Sequence, residues 1–240
     1  MSQQQIIAAI PCHNEEKHIG NVVSRARQFV DLVIVVDDGS SDSTTNVAET
    51  AGALVIRHDV NKGKGMAMNT VFQWARNNGT RAVVLLDGDG QHNPAEIPLV
   101  LAPVLKGEAD VVVGSRFLDR SSRIPIYRVL GQKVLTLSTN LGSGLRLTDC
   151  QSGFRAFSMK AINALHFTRT KVGDIECESQ FLFKENRLRV TEVPIVVSYH
   201  DDAKRNPVIQ GLGNLFTVFG LVAERLLRKR GQMQSSQAEQ

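Results

Sequence analysis

The chain has only three cysteines among 240 residues, Cys12, Cys150 and Cys177. They are scattered, odd in number and without metal-ligand spacing, which argues against a disulfide framework and makes a reducing compartment the default. No signal peptide is expected either: "MSQQQIIAAIP" has neither the basic n-region nor the long apolar h-region of one. The most apolar late run, Leu215 to Ala223, falls well short of the ~20 residues that cross a bilayer, so no membrane span is expected. No G-x-G-x-x-G follows the opening strand and no G-x-x-x-x-G-K-[ST] occurs, which removes two nucleotide-binding classes. No internal repeat is visible.

What is present is an ordinary globular composition, 42% hydrophobic and 22% charged, enough for one large domain or a domain with an appendage. The net charge of +4 is modest. Its distribution is uneven: Glu224 to Gly231 gathers four cations, whereas many carboxylates of interest lie in the first half, a hint of an anionic surface or partner.

Short β-branched runs alternate with helical-length stretches: Ile6–Pro11 then Glu15–Gln28, Leu32–Asp38 then Asp42–Ala51, Ala53–His58 then Gly63–Asn78, Ala82–Asp89 then Pro94–Lys106, then Asp110–Arg116. Continuous apolar strands separated by helices predict an α/β three-layer fold around a mostly parallel sheet. A helix within "SSRIPIYRVLGQKVLTLSTNLGSG", a return to the sheet at "DCQSGFRAFS", a further helix and strand, and an amphipathic helix from about Pro207 to Arg230 complete the expected order. In such sheets ligands gather beyond the carboxyl ends of the strands. Asn14, Glu15, Asp37, Asp38, Asp87, Asp89, Ser115 and Arg116 all stand at those ends.

Three stretches suggest chemistry. In "VVDDGSSDST", Asp37 and Asp38 end a strand, where a carboxylate can accept from ribose hydroxyls or a base N–H, and Gly39 permits close approach; Asp42 reads as a helix cap. "NKGKGMAMN" sets lysines and glycines at a helix start, where backbone N–H groups can receive an anion. In "LLDGDGQH", Asp87, Asp89 and Gln91 would share one side if strand geometry persisted past Leu86. Carboxylates that close repel unless a cation or proton intervenes, and a hard divalent ion suits them. His92 reads as the cap of the helix opened by Pro94, and the acidic turn at Asn14 as a helix N-terminus. A solvated acidic turn is the bland alternative for the D-x-D segment.

With "PCHNEE", "VVDDGSSDST", "NKGKGMAMN" and "DGDGQH" in this order, the chain resembles the family-2 inverting glycosyltransferases of GT-A, Rossmann-like fold, over roughly Ile6 to Val197. "VVGSRF" and "DCQSGFR" are most similar to the polyprenyl-phosphate mannose and glucose synthases, and the Q-x-x-R-W motif of the processive synthases is lacking. The resemblance implies nucleoside contacts from Pro11, Asn14, Glu15, Asp37 and Asp38, with Lys64 near the nucleotide. It implies Asp87 near ribose or metal, Asp89 and Gln91 as ligands of Mg²⁺ or Mn²⁺, and Arg116 and Arg128 at the acceptor phosphate. Arg155, Glu176, Glu178 and Arg205 fall near the acceptor or sugar pocket, with an ion pair as the alternative for Arg155.

The implied reaction moves a hexose from GDP-mannose or UDP-glucose to a polyprenyl monophosphate. A sugar or lipid hydroxyl acceptor served by a base among Asp174, Glu176 and Glu178, or a non-catalytic nucleotide-binding module, are the competing readings. Expected divisions are a catalytic domain over 1–205, the amphipathic helix over 206–230 and a disordered tail over 231–240. Expected partners are the donor, the lipid phosphate, an anionic membrane surface on the cytoplasmic side and a membrane protein, with no nucleic acid.

Overall fold

A computed structural model describes residues 4–119, 126–168, 174–198, 219–220 and 222–223, with the backbone alone at 126–128 and 174. The order is β1 (Gln5–Cys12), α1 (Ile19–Ala26), β2 (Leu32–Asp37), α2 (Thr44–Thr50), β3 (Leu54–Arg57), α3 (Lys64–Asn77), β4 (Thr80–Leu85) and α4 (Ile97–Leu105). There follow β5 (Val111–Ser115), α5 (Ile126–Ser143), β6 (Arg155–Ser158), α6 (Met159–Ala164), α7 (Asp174–Glu185) and β7 (Val190–Pro194). The expected Arg205, most of the expected C-terminal helix and the tail lie outside the described residues, as do the side chains of Arg128 and Asp174.

The seven strands form one sheet in the order β3-β2-β1-β4-β6-β5-β7, parallel throughout except that β6 runs antiparallel to β4 and β5. Successive residues feed opposite faces. Ala8, Ile10, Val33, Val35, Ala82, Val84 and Val112 pack with α1 and α4, whereas Ile7, Ala9, Ile34, Val36, Val83, Leu85, Val111 and Val113 pack with α3, α6 and α7. Both faces are covered, so the central strands β1 and β2 and the later part of β4 read as continuous hydrophobic runs. α1 buries Ile19, Val22, Val23 and Ala26, one stripe of a helix.

The order of strand addition reverses between the parallel strands β1 and β4: β2 and β3 build outward on one side of β1, and β4 begins the other. This switch point opens a crevice at the carboxyl ends of the two strands. Pro11 stands in β1 past the point where its ladder with β4 ends at Ala9, so its missing N–H leaves no gap there.

Several local expectations are corrected. The first helix begins at Ile19, not Glu15; Asn14 adopts φ +55° and holds the preceding loop rather than capping α1. Asn93, not His92, caps the 3-10 turn Pro94–Glu96 through Ala95 N–H. At Gly39 (φ +71°) the close neighbour is the chain itself: a Cβ would lie 2.6 Å from the Val60 carbonyl carbon. β6 and α6 resolve what read only as a return to the sheet. Cys150 and Cys177, 27 residues apart in sequence, meet between α5 and α7, where Gln151 Nε2 lies 3.5 and 3.1 Å from their sulfurs; all three cysteines are free and buried.

Candidate active site

The loops after β1 and β2 are laced into one wall of the crevice. Ser40 Oγ accepts from Asn14 N–H (2.9 Å), Asn14 Oδ1 accepts from Ser41 N–H (2.9 Å), and Thr44 Oγ1 accepts from Glu15 N–H (2.8 Å). Asp42 accepts from Thr44 N–H (3.0 Å) but is not the cap expected of it: the N-cap of α2 is Ser43, and Asp42 braces the helix start from one residue outside. Asp37 takes the Ser40 N–H (2.9 Å) and the Thr45 hydroxyl; burial alone would raise it, and these bonds with Arg57 hold it below the ordinary carboxylate range.

Asp38 is buried and meets His58 Nδ1 at 2.7 Å, Lys62 N–H at 2.8 Å and Gly63 N–H at 2.7 Å. The anion received by the backbone before α3 is thus the protein's own carboxylate. That bond set closes the loop against β2 and delivers Lys64 to the crevice.

Lys64 answers part of the carboxylate problem. Its ammonium is buried, 2.7 Å from Asp87 Oδ1 and 2.8 Å from Glu176 Oε1 of α7. Burial would lower its pKa, yet Asp87 and Glu176 drive it well above the usual lysine value. Burial would likewise raise Asp87, but Lys64, with help from His92 and Arg116, brings it to about 2. Glu176 is lowered by the same lysine against its own desolvation. The cluster therefore stays charged, with one cation between two anions.

Asp89 lies outside that pairing. β4 ends at Leu85, Gly90 turns the chain with φ +74°, and Asp89 Oδ1 accepts from Gln91 N–H at 3.0 Å. Asp87, Asp89 and Gln91 accordingly share a tight turn rather than one side of a prolonged strand. Burial first and Asp87 second raise the Asp89 pKa; its negative charge is undercompensated by the protein. His92 is buried against the Phe154 ring (5.2 Å), lowered by desolvation, and its Nδ1 accepts from Asp87 N–H at 3.3 Å, which places the proton on Nε2.

This donor set fits a hard divalent cation in one way. Among the described residues no group of three His, Cys, Asp or Glu could hold a metal, so Asp89 and the second oxygen of Asp87 would supply at most part of a shell. Such ions take one or two carboxylates and complete their shell with water and substrate phosphate oxygens. The Gln91 amide belongs to the same turn.

The remaining expected residues divide. Arg116, after β5, is gripped by Asp149 through Nε (2.6 Å) and Nη2 (2.7 Å). Arg155 is buried at the start of β6, where Nε and Nη2 donate to the Ser152 and Cys150 carbonyls at 2.9 and 2.8 Å; it makes no ion pair within 4 Å among the described residues, although its charge helps Lys64 lower Glu176. Arg155 orders the loop, because a guanidinium can serve several buried carbonyls at once. Glu178 accepts from Thr168 N–H (3.1 Å) and from its hydroxyl.

Gly153 was not singled out by sequence. Because β6 is antiparallel, its start lies beside the end of β4, and a Cβ at Gly153 would overlap Asp87 Oδ2 and sit 2.9 Å from Asp87 Cγ. Only its place in "DCQSGFR" could have flagged it. Gly153→Ala is expected to displace Asp87, costing about 1–3 kcal/mol of stability and lowering catalysis about 10-fold. Thermal melts and turnover check this, and wild-type values in both would show that Asp87 tolerates the shift.

A mostly parallel α/β sheet with an acidic crevice at its switch point is an architecture of the GT-A type. The chain belongs to Glycosyl transferase family 2, whose pattern matches residues 7–165. It is 34% identical over 220 residues to the UDP-N-acetylglucosamine–dolichyl-phosphate N-acetylglucosaminyltransferase of Methanococcus voltae, covering 83% of this chain and 88% of that one. It is 30% identical over 202 residues to the undecaprenyl-phosphate mannosyltransferase of Micrococcus luteus, covering 80% and 82%. The fold is that of glucosyl-3-phosphoglycerate synthase of Mycobacterium tuberculosis, solved with Mn²⁺, UDP and phosphoglyceric acid: TM-score 0.70 at 24% identity, over 92% of this chain and 79% of that one.

Proposed function

We propose that the protein transfers a hexose, with inversion, from a nucleotide diphosphate sugar to a polyprenyl monophosphate. The observation that carries the choice of acceptor is the commitment of Glu176 and Glu178, the two candidate bases whose side chains are described. Glu176 is tied to Lys64 and lowered by it, and Glu178 is tied to Thr168. A hydroxyl acceptor calls for a general base poised near the working pH; a phosphate monoester, with its second pKa near 6, is already largely ionised. The relatives named for dolichyl- and undecaprenyl-phosphate transfer support the same choice.

The loops after β1 and β2, with Pro11, Asn14, Glu15, Asp37 and Asp38, form the nucleoside side of the crevice. Asp89, with Asp87 and Gln91, would hold Mg²⁺ or Mn²⁺; that ion, when bound, offsets charge on the leaving diphosphate. Lys64 holds Asp87 ionised, and the Gly153 backbone fixes where it stands. Arg116 orients the acceptor phosphate, a task suited to a planar fork of donors. Arg128 and Arg205 are proposed to join it. The donor is GDP-mannose or a UDP-sugar; the N-acetylglucosaminyl relative adds UDP-N-acetylglucosamine to the choice.

The enzyme works as a peripheral protein on the cytoplasmic face of an anionic membrane, alone or with a membrane partner. No helix among the described residues is long and apolar enough to cross a bilayer. Instead α5 carries Leu130, Val134, Leu137 and Leu141, exposed by 67%, 45%, 60% and 78%, within an arc of about 60° at 3.6 residues per turn. The opposite face, with Leu135, packs on α7 beside Val222. A helix apolar on both faces suits a lipid boundary, and α5 contains no carboxylate.

The test is transfer of radiolabel from each nucleotide sugar into organic solvent, with a short polyprenyl phosphate and Mg²⁺ or Mn²⁺. Label extracted only when lipid phosphate is present is the expected result; label moving solely to a hydroxyl acceptor, or never, contradicts it. In a vesicle co-sedimentation assay a variant with Leu130, Leu137 and Leu141 all replaced by Gln should lose about 10³-fold or more in affinity for anionic vesicles, since each leucine buried in lipid is worth ~1.5–3 kcal/mol and about 1.4 kcal/mol is tenfold. Its turnover of the short acceptor should persist. Unchanged vesicle binding removes α5 from the membrane contact.

A further inference from the structure

We propose that Asp149 is a positioning residue for transfer: it holds the Arg116 guanidinium in the one orientation in which that arginine meets the acceptor phosphate. The inference rests on the reading of Arg116 given above and adds the group through which the arginine is aimed.

Three bonds converge on one carboxylate. Arg116 donates to Asp149 through Nε (2.6 Å to Oδ2), Nη2 (2.7 Å to Oδ1) and its own backbone N–H (3.1 Å to Oδ2). A fork-to-fork pair sets the plane and the roll of the guanidinium, which a single contact leaves loose. Because the backbone N–H shares the acceptor, the side chain is also fixed relative to its own strand end.

Asp149 cannot swing to follow a drifting partner. It is 0% exposed; its N–H donates to Glu192 Oε1 at 3.0 Å, and its Oδ1 also accepts from Gln151 N–H at 3.2 Å. The preceding Thr148 donates to Glu192 through N–H (2.7 Å) and Oγ1 (3.0 Å), and its hydroxyl meets Ser115 Oγ at 2.6 Å. A continuous chain of bonds thus runs from Glu192 on β7, through Thr148 and Asp149, to Ser115 and Arg116 at the end of β5.

Burial alone would raise Asp149, and Arg116 is the main influence that lowers it instead, so the pair is ionised at neutral pH. A buried ion pair contributes little net stability against an apolar replacement. This one stands on the rim that carries Asp87, whose ionisation Arg116 also favours. Its location accounts for it better than stability does.

Calorimetric titration of the full chain with citronellyl phosphate, a water-soluble polyprenyl monophosphate, and separately with UDP and GDP, tests the inference. Asp149→Asn keeps the shape and removes the charge. It is expected to weaken citronellyl phosphate about 10-fold, the effect of one lost charge-assisted bond, while nucleotide affinity stays within about twofold. Arg116→Lys should show the same selective loss, and the double variant should be no worse than either single one.

Normal acceptor binding by Asp149→Asn beside an impaired Arg116→Lys overturns the positioning role and leaves the reading of Arg116 intact. Normal acceptor binding by both removes that reading and the inference together. Equal losses for acceptor and nucleotide, or losses that multiply in the double variant, make Asp149 structural or independent and also overturn it. Should Asp149→Asn fail to fold, Glu192→Gln loosens the outer anchor while sparing the ion pair. The same selective loss, smaller in size, is then expected, and unchanged acceptor affinity rejects the proposal.

Discussion

Replacing Lys64 with methionine is expected to lower the melting temperature by about 10 °C and to make mild acid stabilising, where the wild-type cluster is indifferent to it. Lys64 is the cation between Asp87 and Glu176, at 2.7 and 2.8 Å. Methionine keeps most of the volume but leaves two desolvated carboxylates beside Asp89. Removing one partner of a buried pair costs about 3–5 kcal/mol, and a domain of this size loses about 2–4 °C per kcal/mol.

The pH signs follow from the direction of each shift. In the wild type Asp87 is depressed to about 2, so its contribution is complete above the unfolded value of ~3.9 and is lost as pH falls through about 2. Lys64 is raised, so its contribution is present below the unfolded lysine value and fades only as pH rises past it. Between pH 7 and 5 this cluster is flat. In Lys64→Met the depressing charge is gone and burial raises both acids, so acidification from pH 7 to 5 neutralises them and stabilises the variant. Adding Glu176→Gln should recover part of the loss at pH 7. Melts across that range decide it: an unchanged midpoint, or a variant that tracks the wild type, would show that Lys64 is not the internal counter-ion.

The second large effect separates function from stability. Asp89→Asn should abolish transfer, by about 10³-fold or more if metal-assisted stabilisation of the leaving diphosphate is lost, and yet melt at the same temperature as the wild type or higher. Asp89 is raised by burial and by Asp87. A carboxylate with a raised folded pKa favours the fold below its unfolded pKa, and that advantage is lost as pH rises through the folded value. At pH 7 without metal the ionised side chain is therefore a cost that asparagine removes, and the difference should vanish as pH falls below ~4. Mn²⁺ with UDP or GDP should raise the wild-type melting temperature and leave the variant's where it was. A variant that turns over normally, or that unfolds more easily, contradicts this assignment.

The layered sheet was legible because parallel strands covered on both faces carry apolar residues at every position, as in Ile6–Ile10 and Val33–Val36. The rim was legible for the same reason, since chemistry at strand ends interrupts those runs. Partnerships across the chain were not. Lys64 and Glu176 are 112 residues apart, and Arg116 and Asp149 are 33 apart; no spacing rule joins a loop lysine to a helix that packs only after the sheet is assembled.

The opening of "NKGKGMAMN" does form an anion-receiving loop, but its N–H groups at Lys62 and Gly63 meet Asp38, a choice decided by closing the loop on β2. Arg155 misled because a charged residue opening a strand resembles a rim residue until antiparallel pairing with Leu85 and Val113 places it inside. Gly153 carried no visible signal beyond its place in a motif, because its constraint comes from the neighbouring Asp87.

The central claim is that the uncompensated charge at Asp89 is completed by a divalent cation shared with the donor diphosphate. Anomalous diffraction from crystals soaked with Mn²⁺ and either UDP or GDP tests it directly. A peak beside Asp89, bridged to the nucleotide's diphosphate in the β1–β4 crevice, is the predicted result. Nucleotide bound in that crevice with no ion at Asp89, or an ion and nucleotide located elsewhere, would contradict it.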